Sequence, residues 1–154
     1  MCFHRTKESK ILIAKRDITV YKLGCYADLN SFKPLFRCSY CYTSNKIVKE
    51  YVPFDYYIID RGFHSYITCK INPFVGTSVT RYWIRVTSTN STLHITLDLK
   101  KQSYYLGKFI IPKGATYCIN KHHEVVSDSI VYTGNYIKLE GTMNFNVKDI
   151  WKEK

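Results

Sequence analysis

Arg81, Trp83 and Arg85 alternate along one short segment, and two guanidinium forks flanking an indole plane suit a phosphorylated, base-bearing ligand. The same residue types also make an ordinary solvent-facing strand, because exposed arginine on strands is common. Their surroundings are strongly basic. Between Arg61 and His123 stand nine Lys or Arg residues and one carboxylate, Asp98, a surplus of eight out of a formal net charge of +11. Such a surplus creates a positive potential that favours phosphate-bearing partners and speeds their encounter. Arg61 and His64 about Gly62, Tyr66 beside them, and Lys113 in Pro112-Lys113-Gly114 complete the expected ligand contacts. The plainer roles are a turn lysine for Lys113 and a hydrogen-bonded structural histidine for His64.

These residues must be positioned by strands. Fourteen Tyr, eight Phe and many Ile, Val and Thr suit half-buried pleated surfaces, and no long segment holds a period of 3.6. The expected fold is mainly β, with a β-rich α+β arrangement as the variant: a single twisted sheet, a sandwich or a partly open barrel with few short helices. Ile11 to Ala14 and Ile18 to Leu23 read as strands around Lys15-Arg16-Asp17. Residues 26–50 read as less regular, holding either one short helix near Leu29 or a loop. Strands follow at Tyr56 to Ile59 and Phe63 to Ile71. Thr80 to Thr87 and Thr92 to Leu99 form a hairpin over Ser88-Thr89-Asn90-Ser91. Alternation gives it one apolar side, with Tyr82, Ile84, Val86, Leu93, Ile95 and Leu97, and one polar side, with Arg81, Trp83, Arg85, His94, Thr96 and Asp98. Tyr104 to Ile111, Thr116 to Asn120, Val125 to Tyr132 and Tyr136 to Glu140 continue as strands, with Gly134 and Gly141 as punctuation.

A chain of 154 residues is of single-domain size, so residues 1–154 are expected to share one core, with residues 146–154 a charged tail that can fray. The opening MCFHRTKESK is polar and basic, no run approaches the about 18 apolar residues of a membrane span, and a cytoplasmic protein without a membrane partner is expected. In that compartment the six cysteines are expected to be free thiols, several of them buried, and the Asn90-Ser91-Thr92 sequon has no consequence. Cys38-Ser39-Tyr40-Cys41 has zinc-knuckle spacing, but a site needs four ligands. Cys25, His64 and Cys69 complete one only if the fold gathers them, so no metal and no cofactor is expected.

Gly62-Phe63-His64-Ser65-Tyr66, then Ile110-Ile111-Pro112-Lys113-Gly114 with Tyr117, then Val126-Ser127-Asp128, together resemble a group of small proteins of Bacteroidetes and their phages. Ile13-Ala14-Lys15 with Asp17-Ile18 and Val20-Tyr21-Lys22 is similar too. The chain departs from that group around residues 76–104. The resemblance implies a phage or mobile-element setting and brings no established biochemistry. By analogy, a small basic protein in that setting is expected to bind a small anionic nucleotide without turnover, sequestering an immune signal in the host cytoplasm as an anti-defence sponge. A preformed pocket with cationic forks and aromatic surfaces suffices for that. Exposed aromatics also suit a homo-oligomer.

Two enzymatic readings and one binding reading compete. Leu93-His94-Ile95-Thr96-Leu97 resembles the His-x-Thr strand element of the 2H phosphoesterases, and His4-Arg5-Thr6 supplies a second such triplet ninety residues earlier. That resemblance implies His94 and His4 as acid and base, with Thr96 and Thr6 holding the phosphate of a cyclic or 2′,5′-type phosphodiester. Arg5 and Lys7 stand where the pattern has apolar residues. The layout of Tyr21, the Gly62 turn and Pro-Lys-Gly is loosely similar to compact ADP-ribosyltransferase-like folds, although Asp98 is the lone central carboxylate. A single-stranded nucleic acid is the third alternative, suited by charge and aromatic content. The chain lacks a basic tail or a glycine-rich aromatic RNP pattern.

Overall fold

The computed structural model describes residues 3–5, 9–34, 41–66, 70–73, 81–87, 92–98, 104–120, 124–139 and 145–146. Every regular element among them is a strand, so the fold is mainly β. In chain order these are β1 (Phe3–His4), β2 (Ile11–Ile13), β3 (Ile18–Ala27), β4 (Ser31–Pro34), β5 (Tyr42–Thr43), β6 (Ile47–Lys49), β7 (Ile58–Ile59), β8 (Phe63–Tyr66), β9 (Lys70–Pro73), β10 (Arg81–Thr87), β11 (Thr92–Asp98), β12 (Tyr104–Ile111), β13 (Thr116–Ile119), β14 (Glu124–Ser127), β15 (Ser129–Leu139) and β16 (Phe145–Asn146). No helix among the described residues is long and apolar enough to cross a membrane.

The main sheet has ten strands in the order β2-β13-β14-β8-β3-β12-β15-β6, with β4 on β3 and β5 on β4. Three pairs of strands run into one another across a common corner: β2 into β3, β12 into β13, β14 into β15. Backbone bonds hold that corner, from Ala14 N to Ala115 O at 2.8 Å and from Gly114 N to Ala14 O at 2.8 Å. Carboxylates finish it, Asp17 accepting from Lys113 N at 2.9 Å and Asp128 from Thr116 N at 3.0 Å. The long strand β3 makes closure possible, because one of its edges serves two neighbours in turn. Tyr21 pairs with Tyr66 of β8, and from Gly24 onward the same edge pairs with β4. Beyond β5, Ser44 bridges Tyr132 of β15, so β3, β12, β15, β5 and β4 ring a common interior and the sheet is a nearly closed barrel.

That interior is aromatic. Phe32 meets Phe109 edge-on at 5.0 Å and Tyr132 at 5.3 Å, and Tyr42 meets Phe109 at 5.1 Å. Val20, Phe63, Ile111, Val125 and Ile130 surround them. A second, smaller core lies on the other side of β13 and β14, where Phe3, Val52 and Ile59 cover Cys118 and Val126. The pair β1–β7 forms its lid.

Two expectations need correction, and one open alternative is decided. Of the helix and the loop left open near Leu29, the helix does not form. Asp28 Oδ1 instead accepts the backbone N–H groups of Asn30 and Ser31, each at 2.7 Å, and this closes a tight turn from β3 into β4. Gly134 does not end a strand. It sits at φ 85° in a bulge of continuous β15, where Thr133 Oγ1 donates to Lys108 O at 2.7 Å and pairing resumes at Tyr136. The segment Val125 to Tyr132 is two strands bent at Asp128, since β14 pairs with β13 and β15 with β12.

Candidate functional site

The predicted hairpin is present as β10 and β11, within the four-stranded sheet β11-β10-β9-β16. Its register pairs Arg81 with Asp98, Trp83 with Thr96 and Arg85 with His94, the intervening rungs being Tyr82–Leu97, Ile84–Ile95 and Val86–Leu93. The connecting residues 88–91 lie outside the described residues. Arg61 is exposed at the turn before β8, and Tyr66 ends that strand opposite Glu124. His64 is half-buried on the rung of Val126 and Cys118, which is the side facing the small core. Lys113 is exposed at the barrel corner with Lys15 and Arg16, its N–H tied to Asp17. Among the described residues no strand pairing links the four-stranded sheet to β8 or to the corner, so the expected contacts occupy three separate places in the topology.

The His-x-Thr elements are also separated. His4 is exposed on β1, in the two-stranded sheet with β7, whereas His94 and Thr96 lie on β11. Thr6 lies outside the described residues, as do Cys38 and Cys69. Cys25, Cys41 and Cys118 are free thiols, respectively half-buried, exposed and buried. Burial pushes the Cys118 thiol up from its ordinary value, against the opposing pull of Arg5.

Two features were not singled out from the sequence. Lys22 is only 8% exposed, and its ammonium donates to His64 O. It stands 5.6 Å from the centre of the Tyr42 ring and 6.0 Å from that of Phe109, so ring faces offset part of its lost hydration. The available signal was a lysine inside an otherwise apolar strand, between Val20 and Leu23.

The second feature is a tyrosine cluster at the end of the barrel beyond Phe32. The ring of Tyr105 lies 6.3 Å from Tyr26 and 6.1 Å from Tyr136, tilted by 56° and 63°. Tyr26 is 44% exposed, Tyr105 and Tyr136 are half-buried, and all three are polar-tipped rings with apolar bodies. Two exposed lysines adjoin them, Lys33 pairing with Tyr26 and Lys138 with Tyr105. Tyr26 is fixed in place by its hydroxyl, which donates to Asp28 Oδ2 at 2.6 Å, while Tyr132 donates to Asp28 O at 2.7 Å. The Asp28 carboxyl is held below its usual range, first by the Tyr26 hydroxyl and then by the amides of Asn30 and Ser31.

A pH dependence follows. A carboxyl whose folded pKa is depressed contributes stability above its unfolded value, and that contribution is lost as pH falls through the folded value. The urea midpoint of the wild type should therefore drop below about pH 4, near the ordinary Asp pKa. Asp28→Asn should be less stable at neutral pH and should converge on the wild type in acid. A constant offset between the two across the acid range would remove Asp28 as the source.

No family model, no curated protein and no solved structure matches this chain.

Proposed function

We propose that the chain binds a small anionic nucleotide and holds it without turnover. The observation that supports this reading best is the register of β10 on β11, which sets Arg81, Trp83 and Arg85 on alternate rungs of one strand within the basic stretch. Guanidinium forks supply bidentate phosphate contacts, and the indole supplies a stacking plane. In the phage setting implied by the resemblance, the ligand is a nucleotide immune signal, and capture in the host cytoplasm blunts a defence. The phosphodiesterase alternative needs two His-x-Thr strands working together, and the separation of His4 from His94 into different sheets gives it no support.

The test is to incubate the purified protein with cyclic dinucleotides and ADP-ribose isomers, remove free ligand, denature, and analyse what is released. Intact ligand is expected. Arg81→Ala and Arg85→Ala should each weaken binding about tenfold, as loss of a hydrogen bond to a charged group implies. Affinity should fall only gently with salt, because few phosphates are engaged. Cleaved ligand, with cleavage lost in His94→Ala, would establish the phosphodiesterase instead.

A further inference from the structure

We propose that Tyr26, Tyr105 and Tyr136 form a base-stacking surface, with Lys33 and Lys138 receiving the phosphate of the same ligand. This rests on the reading that the chain takes a base-bearing phosphate, and it offers the ends of β3, β12 and β15, in a different sheet from β10, as a place for one base of that ligand.

Three observations carry it. Three tilted rings meet here, at 56° and 63°: Tyr105 and Tyr136 are half-buried and packed against the core, and Tyr26 keeps 44% of its surface in solvent. A flat heterocycle laid on the exposed Tyr26 ring stacks on it and meets a tilted neighbour edge-on, the two favoured aromatic geometries. The surface is preorganised, because Tyr26 is held through Asp28, which is itself fixed by Asn30 N, Ser31 N and Ser31 Oγ. An exposed ring that is already immobilised loses little entropy when a ligand binds. The charge is complementary. Two exposed lysines stand on rungs beside the rings, and the Asp28 carboxylate next to Tyr26 accepts from four donors.

The chemistry that fits is a purine or pyrimidine ring carrying phosphate within a lysine's reach of it. A purely apolar ligand would leave the lysines unused. A phosphate without a base would leave the rings unused.

The probe is a cyclic dinucleotide with 2-aminopurine in place of one adenine, whose emission is quenched on stacking. Wild-type protein is expected to quench it saturably. Tyr26→Leu, Tyr105→Leu and Tyr136→Leu should weaken binding about 5- to 100-fold each, the range for losing one base–aromatic stack. Tyr105→Phe should stay within about twofold, since the ring and not the hydroxyl makes the contact. Lys33→Ala and Lys138→Ala, at exposed positions, should weaken binding about threefold and flatten its salt dependence. Binding by the wild type that survives all three leucine variants and both lysine variants would overturn the stacking surface and leave nucleotide capture standing. Absence of quenching, together with absence of binding to every nucleotide tried with the wild type, would overturn both.

Discussion

Phe32→Ala is expected to lower the unfolding free energy by about 3–5 kcal/mol, the range for truncating a fully buried phenylalanine. Phe32 has no solvent exposure and is the residue around which the barrel closes. It comes from the short strand β4, yet its ring lies against β3, β12 and β15 together, through Gly24, Gly107, Phe109 and Tyr132. Truncation therefore opens a void that three strands line, and none of them can collapse into it without breaking a ladder. The transfer and cavity terms add. Urea titration of the wild type and of Phe32→Ala measures the difference directly, and a loss under about 1 kcal/mol would mean that the ring does not fill this space. Phe32→Leu should cost appreciably less, because most of the volume is retained.

The second large effect is overpacking at the glycines beneath that ring. A Cβ on Gly24 would stand 2.5 Å from Phe32 Cζ and 2.6 Å from Lys33 O, and a Cβ on Gly107 would stand 2.5 Å from Phe32 Cε2 and 2.8 Å from its Cδ2. Gly24→Ala and Gly107→Ala are each expected to destabilise by about 2–3 kcal/mol, the upper part of the range for inserting a methyl group into a packed core. Their response to a smaller neighbour should differ. At Gly107 the closest obstructions are atoms of the Phe32 side chain, so Gly107→Ala should lose much of its penalty in a Phe32→Leu background. At Gly24 a backbone carbonyl also blocks the methyl, and that carbonyl belongs to the β3–β4 ladder. Gly24→Ala should stay costly whatever occupies position 32. A double-mutant cycle on urea midpoints gives both coupling energies, and equal coupling at the two glycines would contradict this account.

Much of the fold was legible locally. The segment Tyr104 to Ile111 matches β12, and the hairpin alternation that set Arg81, Trp83 and Arg85 apart from Tyr82, Ile84 and Val86 reappears in the register of β10 with β11. Both readings use only the period of two that a pleated strand imposes on its own residues. The errors came where a local signal was read without its partner. Gly134 looked like a strand end because glycine punctuates strands, but cross-strand bonds on either side of the bulge carry β15 through it. Leu29 sat in a segment without alternation, and the carboxylate of Asp28 determined its conformation.

For the candidate site, the sequence offered composition but not place. The excess of Lys and Arg and the wealth of Tyr suit the anionic, base-bearing ligand proposed above, but they do not say which of the fourteen tyrosines meet. Tyr26, Tyr105 and Tyr136 belong to three strands from different parts of the chain. They converge because β12 pairs with β3 on one side and with β15 on the other. The phase of Tyr136 further depends on the bulge at Gly134.

The sequence by itself determined that this protein is built of strands, which residues of each strand alternate, and that its central stretch carries an uncompensated positive charge. Those properties depend on residues a few positions apart, or on no arrangement at all. Only the tertiary structure decided that one edge of β3 serves both β8 and β4, that Lys22 lies inside among aromatic rings, and that three tyrosines meet beside two lysines. The physical reason is that strand pairing is non-local: backbone hydrogen bonds do not discriminate among partners, and the choice is made by how the side chains of all the strands fill one interior.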